Sequence, residues 1–331
     1  MNSAPFFLVG SGRSGSTLLR AILATHSRLC IPPESWYLLP LLEQLKTDRP
    51  LSSGEVDRAG QIMTSHYRWP DMNLDACTFR RNIAELNKPF LRDVVEFVYR
   101  KHLERENKLR WGDKTPGYIK IIPQLANMFS DSQFIHLLRD GRDVTRSFQA
   151  LRWHGPWLHD NARDWIEAMK YNTRWKCSPL ATRIFQLRYE DLVLDTEKTV
   201  RNVCSFLGEQ FEPQMLSWQE IVGRLVPPRE AHIHGKLTHR PNPADVHRWK
   251  REMTAHKIFV CEAFMGRHLE RFGYERRFKN ILWEPMFRLT RWYCHAVLPI
   301  VSLNAKVFRF FRNGLSRQPK HNGPFGVRGQ P

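Results

Sequence analysis

Nowhere in the 331 residues do two cysteines stand as a Cys-x-x-Cys pair; Cys30, Cys77, Cys177, Cys204, Cys261 and Cys294 lie far apart. That spacing argues against a zinc site or a disulfide framework and fits a reducing compartment, with buried free thiols as the plain reading. His232, His234 and His239 share a loop without regular ligand spacing and read as solvated. Internal repeats and low-complexity segments are absent. Long apolar runs are absent too: the uncharged stretch Trp292 to Ala305 is fourteen residues long, contains Pro299 and is too short for a comfortable membrane span. Met-Asn-Ser-Ala-Pro passes straight into Phe-Phe-Leu-Val, without a basic segment followed by a long apolar one. A secretory signal or N-terminal anchor is therefore not expected, and the cytoplasm is the expected location.

Acidic residues are scarce at one end. Net charge is +18, and between Arg271 and Pro331 twelve Lys/Arg face only Glu275 and Glu284, so this tail carries +10 and the remaining 270 residues +8. A strongly basic tail points to an anionic partner, a membrane surface or a nucleic acid; peripheral contact with the inner membrane surface is the expectation and nucleic acid is not. Residues 281–311 mix Trp, Phe and Leu with Arg and Lys. They suit an amphipathic helix on a membrane, and equally a segment packed on the rest of the chain or joining two copies in a homodimer. Apolar content of 42% and charged content of 25% are those of an ordinary globular protein.

Pro5 to Gly10 reads as a buried strand, and Ser16 to His26 as a helix with Leu18, Leu19, Ile22 and Leu23 at helical spacing. Gln133 to Leu138 reads as a second strand with a helix over Val144–Trp153, and Thr182 to Tyr189 as a third followed by a helix over Thr196–Leu207. Phe79–Asn107 and Ala162–Lys176 read as long helices, Pro227–Pro243 as a loop, and Ala244–Phe272 as a closing helix. Strands alternating with helices predict an α/β fold: a three-layer parallel sheet with helices on both faces, here followed by a basic helical C-terminal extension. The expected domains are 1–275 and 276–331.

Gly10-Ser-Gly-Arg-Ser-Gly-Ser-Thr17 resembles the phosphate loop G-x-x-x-x-G-K-[ST]. Its glycines let backbone N–H groups approach an anion, and the helix start behind them adds a favourable dipole. The lysine that reaches the β/γ-phosphates is Ser16 here, and a cation appears inside the loop as Arg13. Such a loop is poorly equipped for ATP or GTP hydrolysis but suited to a terminal 5′-phosphate. The bland alternative is a Gly/Ser turn in which Ser14 or Ser16 caps the helix.

Arg13-Ser-Gly-Ser-Thr-Leu-Leu-Arg-Ala-Ile-Leu23 is similar to the 5′-phosphosulfate loop of sulfotransferases that use 3′-phosphoadenosine 5′-phosphosulfate (PAPS), particularly the tyrosylprotein and carbohydrate branches. The resemblance implies that Arg13, Ser14, Gly15, Ser16 and Thr17 hold the 5′-phosphate. In Leu137-Leu-Arg-Asp-Gly-Arg-Asp-Val-Thr-Arg-Ser147, Arg139 and Ser147 match the family's 3′-phosphate arginine and the serine eight residues on. A guanidinium grips phosphate bidentately and a hydroxyl adds a further bond; otherwise Arg139 would pair with Asp140 or Asp143. Leu187-Arg-Tyr-Glu-Asp-Leu-Val193 places Tyr189 where the family's tyrosine lies near the nucleotide, and Arg248-Trp-Lys-Arg251 through Gly273-Tyr274 resembles the closing segment. The likeness covers roughly residues 5 to 275.

Transfer of a sulfuryl group requires a base, a stabilised moving group and a stabilised leaving phosphate. Glu34 stands twenty-one residues after Arg13, where the family branches carry a general base. Partial burial against Pro33 and Trp36 would have to raise its pKa from the ordinary ~4.3; otherwise it is a solvated acid in the first turn of a Ser35–Leu45 helix. Lys114 in Trp111-Gly-Asp-Lys-Thr-Pro116 resembles the lysine on the transferring sulfonate, acting with Arg13; otherwise it is a surface lysine paired with Asp113. His136 reads as a core histidine. The resemblance implies PAPS as donor, adenosine 3′,5′-bisphosphate (PAP) as product and no metal. The acceptor would be a hydroxyl on a small molecule, glycan, glycolipid or protein tyrosine, in a pocket drawn from Trp36–Leu45, Tyr67–Leu74 and Trp153–Trp165. Competing readings are a P-loop small-molecule kinase and a non-catalytic membrane-associated nucleotide binder.

Overall fold

The computed structural model describes residues 4–151, 157–227 and 235–297. The chain divides after Arg277 into two units. In the first, five strands, β1 (Phe6–Gly10), β2 (Leu29–Cys30), β3 (Arg110–Lys114), β4 (Gln133–Leu138) and β5 (Ile184–Arg188), form one parallel sheet in the order β2-β3-β1-β4-β5. β1 is central, pairing Phe6 with Gly112 of β3 and with Gln133 of β4. The alternation of a strand sends Phe6 and Leu8 to one face and Phe7 to the other, and both faces are covered.

On the first face Phe6, Leu8, Ile135, Leu137 and Leu187 pack against Leu19, Ile22 and Leu23 of α1 (Ser16–Ala24). Val200, Val203 and Leu207 of the helix Thr196–Leu207 complete that layer. On the second face Phe7 stacks on Phe134 at 5.4 Å and meets Trp111 edge-on at 5.7 Å, while Trp111 stacks on Tyr99 of the helix Leu91–Glu106 at 4.0 Å. Buried aromatic and aliphatic side chains on both faces are the main stabilising term, each worth about 1.5–3 kcal/mol when taken out of water.

Several elements differ from their sequence-predicted limits. The expected helix Phe79–Asn107 is two, Ala76–Ala84 and Leu91–Glu106, separated around Lys88, whose φ is +47°, and Pro89. The expected closing helix is also two, Trp249–Glu252 and Ala255–Arg271, the second capped at its N-terminus by Thr254. The helix after β4, α2 below, is Gly141–Gln149, and Trp153 lies outside the described residues. The two-residue β2 and the helix Ser53–Ser65 are additions. Cys30, Cys204, Cys261 and Cys294 are buried thiols, but Cys77 and Cys177 are exposed. No described helix is long and apolar enough to cross a membrane.

The second unit, described over 278–297, has a short turn at Ile281–Trp283 leading into the helix Glu284–Trp292 and a wider turn, Tyr293–Val297.

Candidate active site

In a parallel sheet all strands end at the same edge, and ligands bind where neighbouring strands send their chains to opposite sides. Here β1 lies between β3 and β4, and Gly10, Lys114, Leu138 and Arg188 close the four strand ends that meet there. A cavity of about 1070 Å³ opens at that edge, lined by Gly10–Arg13 and Gly15–Thr17 of the turn and by Glu34, Arg139, Ser147 and Tyr189. Of the sequence-predicted residues all but Ser14 and Lys114 line this one cleft; Ser14 is fully buried behind the turn, and Lys114 reaches the wall through the bond of its amino group to Glu34.

The turn after β1 is shaped by backbone conformation. Arg13 has φ +66° and Gly15 φ +93°; a Cβ on Gly15 would lie 2.4 Å from the Tyr189 ring, so only glycine fits there. Gly15 is the N-cap of α1 and makes no side-chain capping bond. Ser14 Oγ instead shares a 2.6 Å hydrogen bond with Ser11 Oγ, so the helix-capping alternative does not apply. The first N–H groups of α1 thus have no side-chain cap, which is the setting in which a helix start receives an anion.

Arg139 follows β4, and its Nη1 donates to the Arg13 carbonyl at 3.1 Å. Its guanidinium lies 4.1 Å from the Tyr189 ring centroid. Neither neighbouring acid takes it up as a bonded partner. Asp140 caps α2 (Gly141–Gln149) and pairs with Arg142 at 2.8 Å, while Asp143 accepts the Trp249 N–H at 2.8 Å and lies 3.5 Å from Arg146. Trp165 is fully buried and donates to the Arg139 carbonyl at 3.0 Å. It is a core side chain fixing that strand end, the plainer of the two roles, acceptor stacking or core packing, that the sequence leaves open for it. Ser147, two turns into α2, accepts from Arg13 Nε at 3.1 Å, so the two predicted phosphate groups touch through Arg13.

The catalytic candidates meet on the other side. Glu34 lies before the helix Leu38–Gln44, not in its first turn. Its Oε1 accepts from Lys114 Nζ, and its Oε2 accepts from Trp36 Nε1 at 2.7 Å and Arg68 Nη2 at 3.2 Å. Lys114 is buried and also lies 3.5 Å from Thr17 Oγ1; it is not a surface lysine paired with Asp113. Burial pushes the Glu34 carboxyl up, but Lys114, Trp36 and Arg68 together override it and hold the pKa at about 2. The expectation of a raised pKa is therefore corrected: Trp36 does not shield the carboxylate but donates to it.

Beneath this pair lies a buried polar cluster. Asp113 Oδ2 accepts from Ser35 Oγ and from Tyr99 Oη, both at 2.7 Å, and Ser35 Oγ lies 2.7 Å from Tyr118 Oη, which accepts the Leu38 N–H at 3.1 Å. Ser35 N–H donates to Thr115 Oγ1 at 3.2 Å. Asp113 and Ser35 are the chain neighbours of Lys114 and Glu34, so the cluster fixes one register between the end of β3 and the Glu34 turn. His136 is fully buried on β4, and desolvation holds its pKa down to about 3, as suits a neutral core side chain. Among the described residues no cluster of His, Cys, Asp or Glu is arranged to hold a metal; His232 and His234 lie outside them, and His239 is exposed.

The sequence pattern described as Sulfotransferase family matches residues 5–213. The chain belongs to the sulfotransferase family. It is 26% identical over 223 residues to Protein-tyrosine sulfotransferase 1 of Danio rerio, across 66% of this chain and 57% of that one. It is 27% identical over 154 residues to Nodulation protein NoeE of Sinorhizobium fredii, across 46% of this chain and 33% of that one. The chain thus spans between a third and somewhat over half of the length of these curated relatives. The same fold is seen in the Sulfotransferase Domain from the Synechococcus PCC 7002 Olefin Synthase, with a TM-score of 0.61 at 23% identity over 83% of this chain and 95% of that one. The Sulfotransferase Domain from the Curacin Biosynthetic Pathway gives 0.56 at 24%, over 83% and 99%.

Three features of this cleft are not fixed by the sequence, which names the basic closing segment without saying which of its side chains reach the cleft. Arg68 sits in an irregular segment between helices, and its bond to Glu34 spans thirty-four residues. Arg240 and Arg248 line the cleft, whereas Lys250 and Arg251 do not. The Asp113 cluster consists of residue types that read as ordinary strand and loop polarity. Removing its central acceptor in Asp113→Ala leaves the Tyr99 and Ser35 hydroxyls buried without it, at about 1–3 kcal/mol for each unsatisfied group. The urea midpoint of Asp113→Ala should fall accordingly; a midpoint equal to wild type would remove the cluster from the account of how the site is held.

Proposed function

We propose that this sulfotransferase moves the sulfuryl group of PAPS onto an acceptor hydroxyl, with Glu34 as general base. The supporting observation is that two anion-binding groups from the ends of adjacent strands, the Gly10–Thr17 turn and Arg139 with Ser147, share one cleft with the Glu34–Lys114 pair. The residues fit such a donor. Arg139 Nε is buried with no hydrogen-bond partner among the described residues, and α1 begins without a side-chain cap; both are donor groups of the kind an anion satisfies.

In this reading Ser14, Gly15, Ser16 and Thr17 hold the 5′-phosphosulfate, Arg139 and Ser147 the 3′-phosphate, and Tyr189 borders the nucleotide. Arg13 stands at the junction of both groups. Bound donor supplies an activated sulfur–oxygen bond whose cleavage leaves PAP. As the acceptor oxygen bonds to sulfur, the bond from sulfur to the bridging oxygen breaks and the hydroxyl proton passes to Glu34. Lys114 and Arg13 offset the charge that gathers on the bridging oxygen. A carboxylate with a pKa near 2 is ionised throughout the neutral range, so it is always ready to accept, although a weaker base than one poised near neutrality.

The acceptor is a small molecule, a glycan or glycolipid, or a protein tyrosine. Trp36, Leu39, Tyr67 and Ile119 provide the aromatic and apolar part of the cleft wall on which a ring can lie. The test is incubation of the full chain with radiolabelled PAPS and lysate of its native organism, followed by identification of the labelled product. Label transferred to a hydroxyl-bearing product together with release of PAP is expected. Magnesium-dependent ATP turnover without transfer from PAPS would favour a kinase instead, and nucleotide binding without any turnover a non-catalytic binder.

A further inference from the structure

The described part of the second unit carries an apolar stripe that faces solvent. Leu282, Met286, Leu289 and Tyr293 are exposed to 76%, 51%, 62% and 46%. They stand four, seven and eleven positions apart along one helical run, Ile281–Val297, and therefore on one side of it. Ile281 and Trp292, also exposed, widen the stripe, whereas Phe287 and Cys294 are buried. Exposed apolar area of this continuity marks an interaction surface.

Charge selects the partner. Glu284 is the last acidic residue of the chain; the 47 residues after it hold eight Lys/Arg and no Asp or Glu. Arg288, 76% exposed, and Arg291 stand beside the stripe, and both draw on the one carboxylate of Glu284, at 3.7 and 3.1 Å. We propose that the Ile281–Tyr293 segment is a peripheral docking surface for an anionic lipid bilayer, its Leu282–Met286–Leu289–Tyr293 stripe entering the interface and its basic side chains meeting lipid phosphates.

The chemistry of that surface sorts the candidates. An aliphatic stripe with Trp and Tyr at its end matches the boundary between acyl chains and headgroups, and Arg beside it adds attraction to anionic lipid. Leu and Met gain nothing from a phosphodiester backbone, so a nucleic acid would use the arginines and leave the stripe wet. A second copy of this chain seated on the same face would bring Arg288 and Arg291 against their own duplicates with no acid beyond Glu284 to separate them, an arrangement that like-charge repulsion disfavours.

The experiment is co-sedimentation of the full chain with phosphatidylcholine vesicles containing or lacking phosphatidylglycerol, at low and high salt. Binding to the anionic vesicles is expected, falling about tenfold or more when phosphatidylglycerol is omitted or salt is raised. Met286→Glu with Leu289→Glu should lower that binding by about tenfold or more, with PAP affinity and melting temperature unchanged. Arg288→Glu, at a largely exposed site, tests the charge separately and should weaken binding several-fold. If the double glutamate variant fails to fold, Arg288→Glu and the lipid and salt comparison on wild type carry the test. Unchanged vesicle binding in a folded double variant overturns the proposal. So does a double variant that only converts dimer to monomer in light scattering, or a wild type that retains RNA but ignores vesicles.

Discussion

Glu34→Gln should lose about two to four orders of magnitude in sulfuryl transfer, the range for removal of a positioned general base, while binding PAP at least as tightly as wild type. The amide keeps the size of the side chain and an oxygen for the Trp36 and Arg68 donors that now bond the carboxylate at 2.7 and 3.2 Å. What it removes is the proton acceptor and the counter-charge of Lys114. The second loss works in favour of an incoming anion, because the lysine no longer has a carboxylate competing for it. The two readouts therefore move apart, which a merely structural role would not produce. Calorimetry with PAP and the transfer rate from PAPS to the acceptor labelled by wild type give both. A rate within threefold of wild type would sink the base assignment and leave the family membership untouched.

The same carboxylate fixes a pH signature. Its pKa is held at about 2 by Lys114, Trp36 and Arg68 against the opposing effect of burial. The proton-accepting form is thus complete above that value and is lost only as pH falls through it. The free-enzyme profile of kcat/KM should show no acid limb from Glu34 between about pH 5 and 8. The sign for stability is the same: a depressed carboxylate pKa stabilises the fold above the ordinary carboxylate range, and that contribution fades as pH drops from about 4.5 towards 2.

How much of this was legible in the sequence follows from how local each feature is. The strand, the Gly-rich turn and α1 are contiguous, so their order and spacing, and the resemblance to a phosphate loop, can be read directly from the sequence. The pairing of Arg139 with Ser147 is likewise one strand end and two helical turns. Tyr189 was placed by motif, and the reason it must be there, the absent Cβ of Gly15, emerges only in three dimensions. Glu34 and Lys114 were each assigned by spacing from a neighbouring motif, but their direct bond spans eighty residues and no pattern announces it. The same distance hides its consequence: proximity to Pro33 and Trp36 suggests burial and a raised pKa, whereas the fold supplies Lys114 and Arg68 and lowers it. The break between Ala84 and Leu91 is marked in the sequence only by Pro89, inside a charged stretch that otherwise reads as one helix, while a two-residue strand such as β2 has no periodicity to read. Only the register of β3 against the Glu34 turn reveals the Asp113 cluster.

Arg139→Ala tests the other half of the cleft and should weaken PAP binding by about tenfold to a hundredfold, the usual worth of a hydrogen-bonded charge contact, 1.5–3 kcal/mol. The argument rests on what surrounds the guanidinium. Asp140 is bound to Arg142, and Asp143 accepts from Trp249 and lies against Arg146; Asp143 also feels the Arg139 charge through space, but neither acid hydrogen-bonds the Arg139 guanidinium. Its Nη1 spends one donor on the Arg13 carbonyl at 3.1 Å, and its Nε is buried without a partner. A phosphate is the partner that completes this set, because a guanidinium offers parallel N–H groups to two oxygens at once. Arg139→Lys should recover only part of the loss, since a point charge cannot make the paired contact. Ser147→Ala removes one neutral hydroxyl and should cost less, about 0.5–1.5 kcal/mol. Adenosine 5′-phosphosulfate, which lacks the 3′-phosphate, discriminates further: its affinity should be nearly the same in wild type and Arg139→Ala. If Arg139→Ala weakened that ligand as much as PAP, Arg139 would be acting on the fold of the turn through the Arg13 carbonyl, and the assignment of two phosphate sites to two strand ends would fall.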